Sequence, residues 1–509
     1  MSFHTLRIGR APIAAQALFA SLALAVLGCA STPAADRGWI EISSKNFSVF
    51  TSMKQPDARE LLENLELFRA ALLKVTKLRD TRPRIPTEIY AFEQSSDYDQ
   101  FRPARYAAGH FTSTLRGNLV VLSTGKDSLS ARVIVYHEYT HFLVHNEARG
   151  RYPRWFDEGF AELLSSVDVL GTMVRIGAVP PYSASWLRYG TKLPYARVIR
   201  APDFEGWSDK EVGAYYAQAW LLVHYLVLGQ HFDDFPERLE RYRQRADRTG
   251  DDEQAFSEAF GIDVHELADR LKQYATQIPT FGLPRSGLAP ESVTTARDVP
   301  SDEIAERLGW LAFSGRKIPV AQAYFARASE ANPKNARAIA GIAEIDKLNG
   351  RWREAEVSYQ RAVELAPDDW QNQLEIAEYF AYRAQRDEAD RDANLAHARE
   401  HLSRAIELAP TIPEGHAALG ATYTIGDQPP EPRIAPLEHA LELLPSNPSI
   451  EYPLAQLYSR AGRRAQAIEL LRPLVRQLHG EPSAEAQKLL AQLEDADGGG
   501  ERATHGEDR

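Results

Sequence analysis

At 509 residues the chain has room for two or three domains. Its formal charge of −11, carried without any basic tract, excludes nucleic acid as a partner. A single cysteine, Cys29, excludes an internal disulfide and any cysteine nucleophile or metal ligand in the folded body.

In chain order, Arg7 and Arg10 precede an apolar run over residues 11–27 that ends in Gly28-Cys29. A basic start, a short apolar core and small residues at the junction read as a secretion signal over residues 1–28, too short for a lasting membrane span. Gly28-Cys29 resembles the bacterial lipobox, which implies cleavage before Cys29 and acylation of its thiol; the alternative is an ordinary signal with an incidental cysteine. Ala30 is not a retention residue of the Asp type. The resemblance therefore implies the cell envelope, on the outer membrane facing the periplasm, with lipid on Cys29 as the membrane anchor. Losing residues 1–28 removes Arg7 and Arg10 and no acid, so the charge moves from −11 to −13. Residues 29–38 read as a tether.

Residues 47–51 and 85–92 alternate like strands, and 57–78 carries helical apolar spacing. Gly117-Asn118 introduces a third strand at 119–122, just before the stretch around which the chain is organised. There, His-Glu-Tyr-Thr-His occupies 137–141 inside an apolar run, and Trp-Phe-Asp-Glu-Gly-Phe-Ala-Glu follows at 155–162. On a helix His137 and His141 project from one face, close enough to bind one ion, while Glu138 beside them can reach a water as general base. A tetrahedral catalytic zinc needs a third protein donor. Glu158 is the choice, because it opens an apolar helix where an unpaired carboxylate would be costly. Glu162, four residues on and sharing its face, is the alternative ligand.

These two motifs resemble the gluzincin metallopeptidases, and within them the peptidase MA-like group of bacterial proteins, where His-Glu-x-x-His is followed by Trp-Phe-x-Glu-Gly-x-Ala-Glu. The resemblance implies one Zn2+ on His137, His141 and Glu158, with Glu138 as base and Glu162 as an outer partner of His137. Sixteen residues separate His141 from Glu158, fewer than in thermolysin or the aminopeptidases, so the intervening loop must be shorter. The implied fold is α+β, a mixed sheet with active-site helices. In such proteases an edge strand near the metal pairs with extended substrate, and 119–122 is the candidate here. No Gly-x-Met-Glu-Asn strand for capturing a free amine occurs in 110–118, which favours an endopeptidase over an aminopeptidase.

Residues 171–209, with four prolines, read as a loop-rich region that either roofs a cleft or covers the core. A strongly apolar helix follows at 214–226. Its Tyr216 resembles the aminopeptidase tyrosine that hydrogen-bonds the oxyanion; Tyr215 is the understudy, and a packing role is the alternative. His224 reads as a satisfied core histidine and His145 as a surface residue, since a fourth ligand would close the open coordination position. Helical sequence over 236–277 closes a catalytic domain of 39–278, and a Pro- and Gly-rich linker spans 279–300.

From 301 to 494 the chain repeats itself. Arg327-Ala-Ser-Glu-Ala-Asn-Pro333 recurs as related helix endings with prolines at 367, 410 and 445, spaced by 34, 43 and 35 residues. This resembles the tetratricopeptide period, with about five repeats and an insertion around 386–393. Small residues Gly309, Ala343, Ala377, Ala421 and Ala455 fall where paired helices approach. The expected architecture is an all-α solenoid whose concave face holds a polypeptide substrate or partner protein, followed by a disordered tail over 495–509.

Together these readings imply a membrane-anchored zinc metallopeptidase, an endopeptidase, whose repeats recruit substrate or partner. The alternative is a non-catalytic protein-interaction scaffold of the cell envelope. A third idea is hydrolysis of a non-peptide bond such as a cell-wall amide.

Overall fold

A computed structural model describes residues 33–498, apart from 77–86, 104–108, 125–127, 148–151, 202–203, 205, 231–233, 424, 426–430, 446 and 476–483. The signal, Cys29 and residues 499–509 lie outside the described residues. By contacts the chain forms two units. One holds residues 299–365 with the N-terminal residues up to Gly38, and the other holds 39–298 with 366–509.

In the larger unit a mixed sheet is built from β1 (Trp39–Ser43), β2 (Phe47–Thr51), β3 (Thr87–Phe92), β4 (Gly109–Ser113) and β5 (Asn118–Ser123). Its order is β4-β5-β3-β2-β1, with a short C-terminal strand beyond β1. The inner strands β2, β3 and β5 run parallel, pairing Val49 with Ile89 and Ile89 with Val120, and they are buried nearly end to end because helices cover them. Helix α1 (Gln55–Thr76) lies between β2 and β3 in sequence and buries Ala58, Leu62, Leu65, Phe68 and Leu72 at helical spacing. Helix α2 (Ser128–Glu147) is anchored by Tyr136, whose ring stacks on Phe68 with centroids 3.9 Å apart. Helices α3 (Arg154–Ser165) and α4 (Asp209–His224) complete this core, α4 starting from a capping box between Ser208 and Glu211.

Three expectations change here. The strand at 119–122 is β5, an interior strand, because β4 folds back on it through the Thr114–Gly117 turn, so β4 carries the edge. Residues 171–209 are not mainly loop. They contain strand Met173–Ile176 and helices Pro181–Tyr189 and Tyr195–Arg200, both started by prolines whose missing N–H costs nothing there. Residues 279–300 are not a free linker. Strand Phe281–Pro284 pairs with Met173–Ile176, Thr294 hydrogen-bonds Ser43, and Arg297 pairs with Glu41.

The repeats in the larger unit are the helix pairs Trp370–Arg386 with Arg391–Leu408, Pro413–Thr422 with Glu431–Leu443, and Pro448–Arg460 with Arg464–Val475. The insertion near 386 is absorbed as added length, giving helices of 17 and 18 residues where Trp352–Leu365 has 14. Ala421 is exposed; its neighbour Gly420 makes the close approach, since a Cβ there would meet Leu437 at 2.8 Å. The final helix runs over Ala484–Gly498, so the expected tail does not begin at 495. In the smaller unit, Ser301–Ser314 packs with Ile318–Ala331 and Ala336–Leu348 with Trp352–Leu365. Phe325 sits against both Gly309 and Gly341, where any Cβ would overlap its ring. No described helix is long and apolar enough to cross a membrane.

Candidate metal centre

Helix α2 presents its apolar residues Val135, Tyr136, Tyr139 and Leu143 to the core and leaves His137, Glu138, His141 and His145 on the opposite side. Helix α3 brings Glu158 against them. Gly159 permits this, because a Cβ there would overlap the Ala219 backbone and lie 2.7 Å from Val223 on α4. The Glu158 carboxylate, 1% exposed, places Oε2 3.5 Å from His137 Nε2 and 3.6 Å from His141 Nε2, and the two Nε2 atoms are 3.1 Å apart. Bonds of about 2.0–2.2 Å at tetrahedral angles separate donor atoms by about 3.3–3.6 Å. Two of the three separations fall in that range and the third is slightly shorter, so two imidazole nitrogens and one carboxylate oxygen would hold a single zinc ion here.

The surrounding groups set the orientation of these donors. Asp157 Oδ1 accepts from His141 Nδ1 at 3.0 Å, which turns His141 Nε2 toward Glu158 and His137, and it also lies 2.8 Å from His145 Nε2. Glu162 Oε1 is 3.6 Å from His137 Nδ1, the nitrogen away from the other donors. Of the two candidate carboxylates, then, Glu158 lies among the donors and Glu162 behind one of them. The Tyr216 hydroxyl donates to Glu158 Oε1 at 3.4 Å, and Arg154 Nε approaches the same oxygen at 3.8 Å with its guanidinium over the Phe204 ring.

Electrostatics follow from this crowding. Burial alone would raise the Glu158 carboxyl, but hydrogen bonds from His137 and His141 and their charge hold it well below the usual carboxylate range. Burial likewise opposes ionisation of Asp157, and the two histidines on it prevail, keeping it well below its ordinary value. His141 is raised well above 6.5, since Asp157 and then Glu158 outweigh its burial. Burial and the Glu158 charge push the Tyr216 phenol up, so it stays a hydrogen-bond donor.

Two cavities of about 480 Å³ each share His137, Glu138 and Tyr216. One extends past Phe111, Ser113 and Phe142 to Leu444, Pro445 and Asn447; the other runs past Val133, Glu162 and Tyr182. Tyr215 is fully buried and lines neither. His224 is a core residue bonded to Tyr274 and to the Gly177 carbonyl. Sequence reasoning missed Asp157, Arg154 and the inward role of His145. Their signal was the helical spacing 141–145 and 154–158, and only the packing of α3 on α2 gives it meaning.

Residues 434–493 match the tetratricopeptide repeat family model, so this part of the chain is a repeat region of the class that mediates protein–protein interaction. Among curated proteins the chain is similar to cellulose synthase operon protein C of Xanthomonas axonopodis pv. citri (strain 306), at 30% identity over 178 residues. That alignment spans 35% of this chain and 12% of the relative's length. Among solved structures it resembles a thermophilic TPR protein of Thermus thermophilus (23% identity, 38% of this chain and 98% of that one, TM-score 0.31). It also resembles PilF of Pseudomonas aeruginosa (16% identity, 39% and 84%, TM-score 0.34).

Proposed function

We propose that the chain is a zinc-dependent endopeptidase of the cell envelope, anchored by lipid on Cys29, whose repeats bring polypeptide to the site. The observation that carries this reading is the set of donor atoms from His137, His141 and Glu158 at tetrahedral spacing beside Glu138. When bound, zinc supplies Lewis-acid polarisation of the scissile carbonyl and lowers the pKa of an attacking water. Glu138 accepts the proton of that water as the C–O bond forms, and delivers it to the amide nitrogen as the C–N bond breaks. Tyr216 donates its O–H to the carbonyl oxygen as negative charge develops there. Asp157 and Glu162 fix the two imidazoles. Cavities on both sides of Glu138 favour cleavage within a chain over trimming of its end.

A second reading is a non-catalytic interaction scaffold, with the repeats as the working part. The repeat match favours it, being the comparison that carries functional meaning. Purified protein from Ser31 onward distinguishes the two. For a peptidase, parent and Glu138→Gln both bind zinc, and cleavage of an unfolded protein falls about 10²–10⁴-fold in the variant. Zinc in both and no cleavage by the parent would leave the scaffold.

A further inference from the structure

The repeats reach the metal centre itself. The tip of the β4–β5 turn is seated on them: Leu115 packs beside the cluster of Ile434 and Leu437, and Arg116 meets three carboxylates. Its Nη1 is 2.5 Å from Glu375, its Nη2 3.4 Å from Glu378, and its Nε pairs with Glu414. Glu375 is almost fully buried, so this guanidinium is held by every edge it has and fixes the hairpin against the repeat helices. The consequence lies along β4 itself, where Phe111 and Ser113 line the cavity. There the turn between Glu431–Leu443 and Pro448–Arg460 closes the cavity opposite Phe111 and Phe142. That turn carries the recurring repeat proline, Pro445, and Asn447, whose side-chain oxygen caps the next helix by accepting from Ser449 N at 2.9 Å. The same side chain carries amide N–H donors, and Asn447 lines the cavity.

We infer that Leu444, Pro445 and Asn447 form the far wall of the substrate cleft, so that the repeat module selects residues next to the scissile bond. This rests on the peptidase reading above. The occupant is an extended, unfolded polypeptide segment lying between edge strand β4 and the repeat turn. Its backbone pairs with β4, a bulky apolar side chain contacts Phe111, Phe142, Leu444 and Pro445, and Asn447 donates to a backbone carbonyl. The edge strand supplies affinity without sequence preference, and the apolar wall supplies the preference.

The test uses the whole zinc-loaded chain, Pro445→Glu, and Asn447→Ser, which keeps a capping oxygen and removes the amide. Each is incubated with a library of random decapeptides and the cut sites are read by mass spectrometry. The parent is expected to prefer a large apolar residue at one position beside the cut. Pro445→Glu loses that preference, with kcat/KM for the preferred peptide at least tenfold lower and most of the change in KM. Asn447→Ser weakens all peptides alike. In the Glu138→Gln background, binding of the preferred peptide by fluorescence anisotropy weakens by the same factors, with zinc content and melting unchanged. A parent that cuts while cut sites and binding are indifferent to both substitutions overturns the wall and leaves the peptidase standing. A zinc-loaded parent that cuts nothing overturns both.

Discussion

Asp157 shows how much one side chain beside the candidate metal ligands can decide. It accepts from two histidines, and each pairing shifts a proton equilibrium whose effect on stability has a definite sign. The raised His141 stabilises the metal-free fold fully below pH about 6.5, and that contribution is lost as pH rises through its folded-state value. The depressed Asp157 contributes above pH about 3.8, and its contribution is lost as pH falls through its own low value. The metal-free chain is therefore expected to melt at its highest temperature between these limits, in a calorimetric series against pH. Asp157→Asn should flatten the acid limb, move the alkaline limb to lower pH, and weaken zinc binding about 10–100-fold, as measured against a competing chelator. An unchanged pH profile in that variant would remove Asp157 from this role.

Between residues and domains, the decisive contact is that of α3 with α4 through Gly159. Gly159→Ala is expected to force the helices apart beside Glu158, costing about 1–3 kcal/mol and lowering zinc affinity together with the melting temperature. An alanine tolerated without either effect would mean that the close approach is not needed. The same scale shows what could be read from the chain and what could not. His137 and His141 share one helix, so their spacing is a local fact visible in the residues, as are Glu158 within its motif and the 34-residue period. The edge role of β4 is not local. His110-Phe-Thr-Ser113 has no strong strand pattern, and it becomes the edge only because the Thr114–Gly117 turn returns it along β5. Phe281–Pro284 likewise holds Gly and Pro and is a strand only through a partner more than a hundred residues earlier. Arg116 stands just before Gly117-Asn118 with nothing local to mark it, and its carboxylates begin 259 residues further along.

At the scale of the whole molecule, a candidate metal centre and a repeat region are joined in one chain, behind a sequence proposed to carry a lipid anchor. The anchor is argued from Gly28-Cys29 alone. Cys29→Ser is expected to abolish incorporation of labelled palmitate and shift the protein from the membrane to the soluble fraction. Labelling that persists would place the lipid elsewhere. The region 39–298 holds the candidate donors His137, His141 and Glu158, and the repeats supply Leu444, Pro445 and Asn447 to the cavity beside them. The peptidase reading depends on whether His137, His141 and Glu158 hold one ion. The most direct measurement is the zinc content of the purified chain and of Glu158→Gln by mass spectrometry, after dialysis against zinc. One zinc per chain is expected for the parent, with an affinity loss in Glu158→Gln well beyond the about 10–100-fold of an outer partner. A parent that takes up no zinc, or a Glu158→Gln chain that binds it as tightly as the parent, would contradict it.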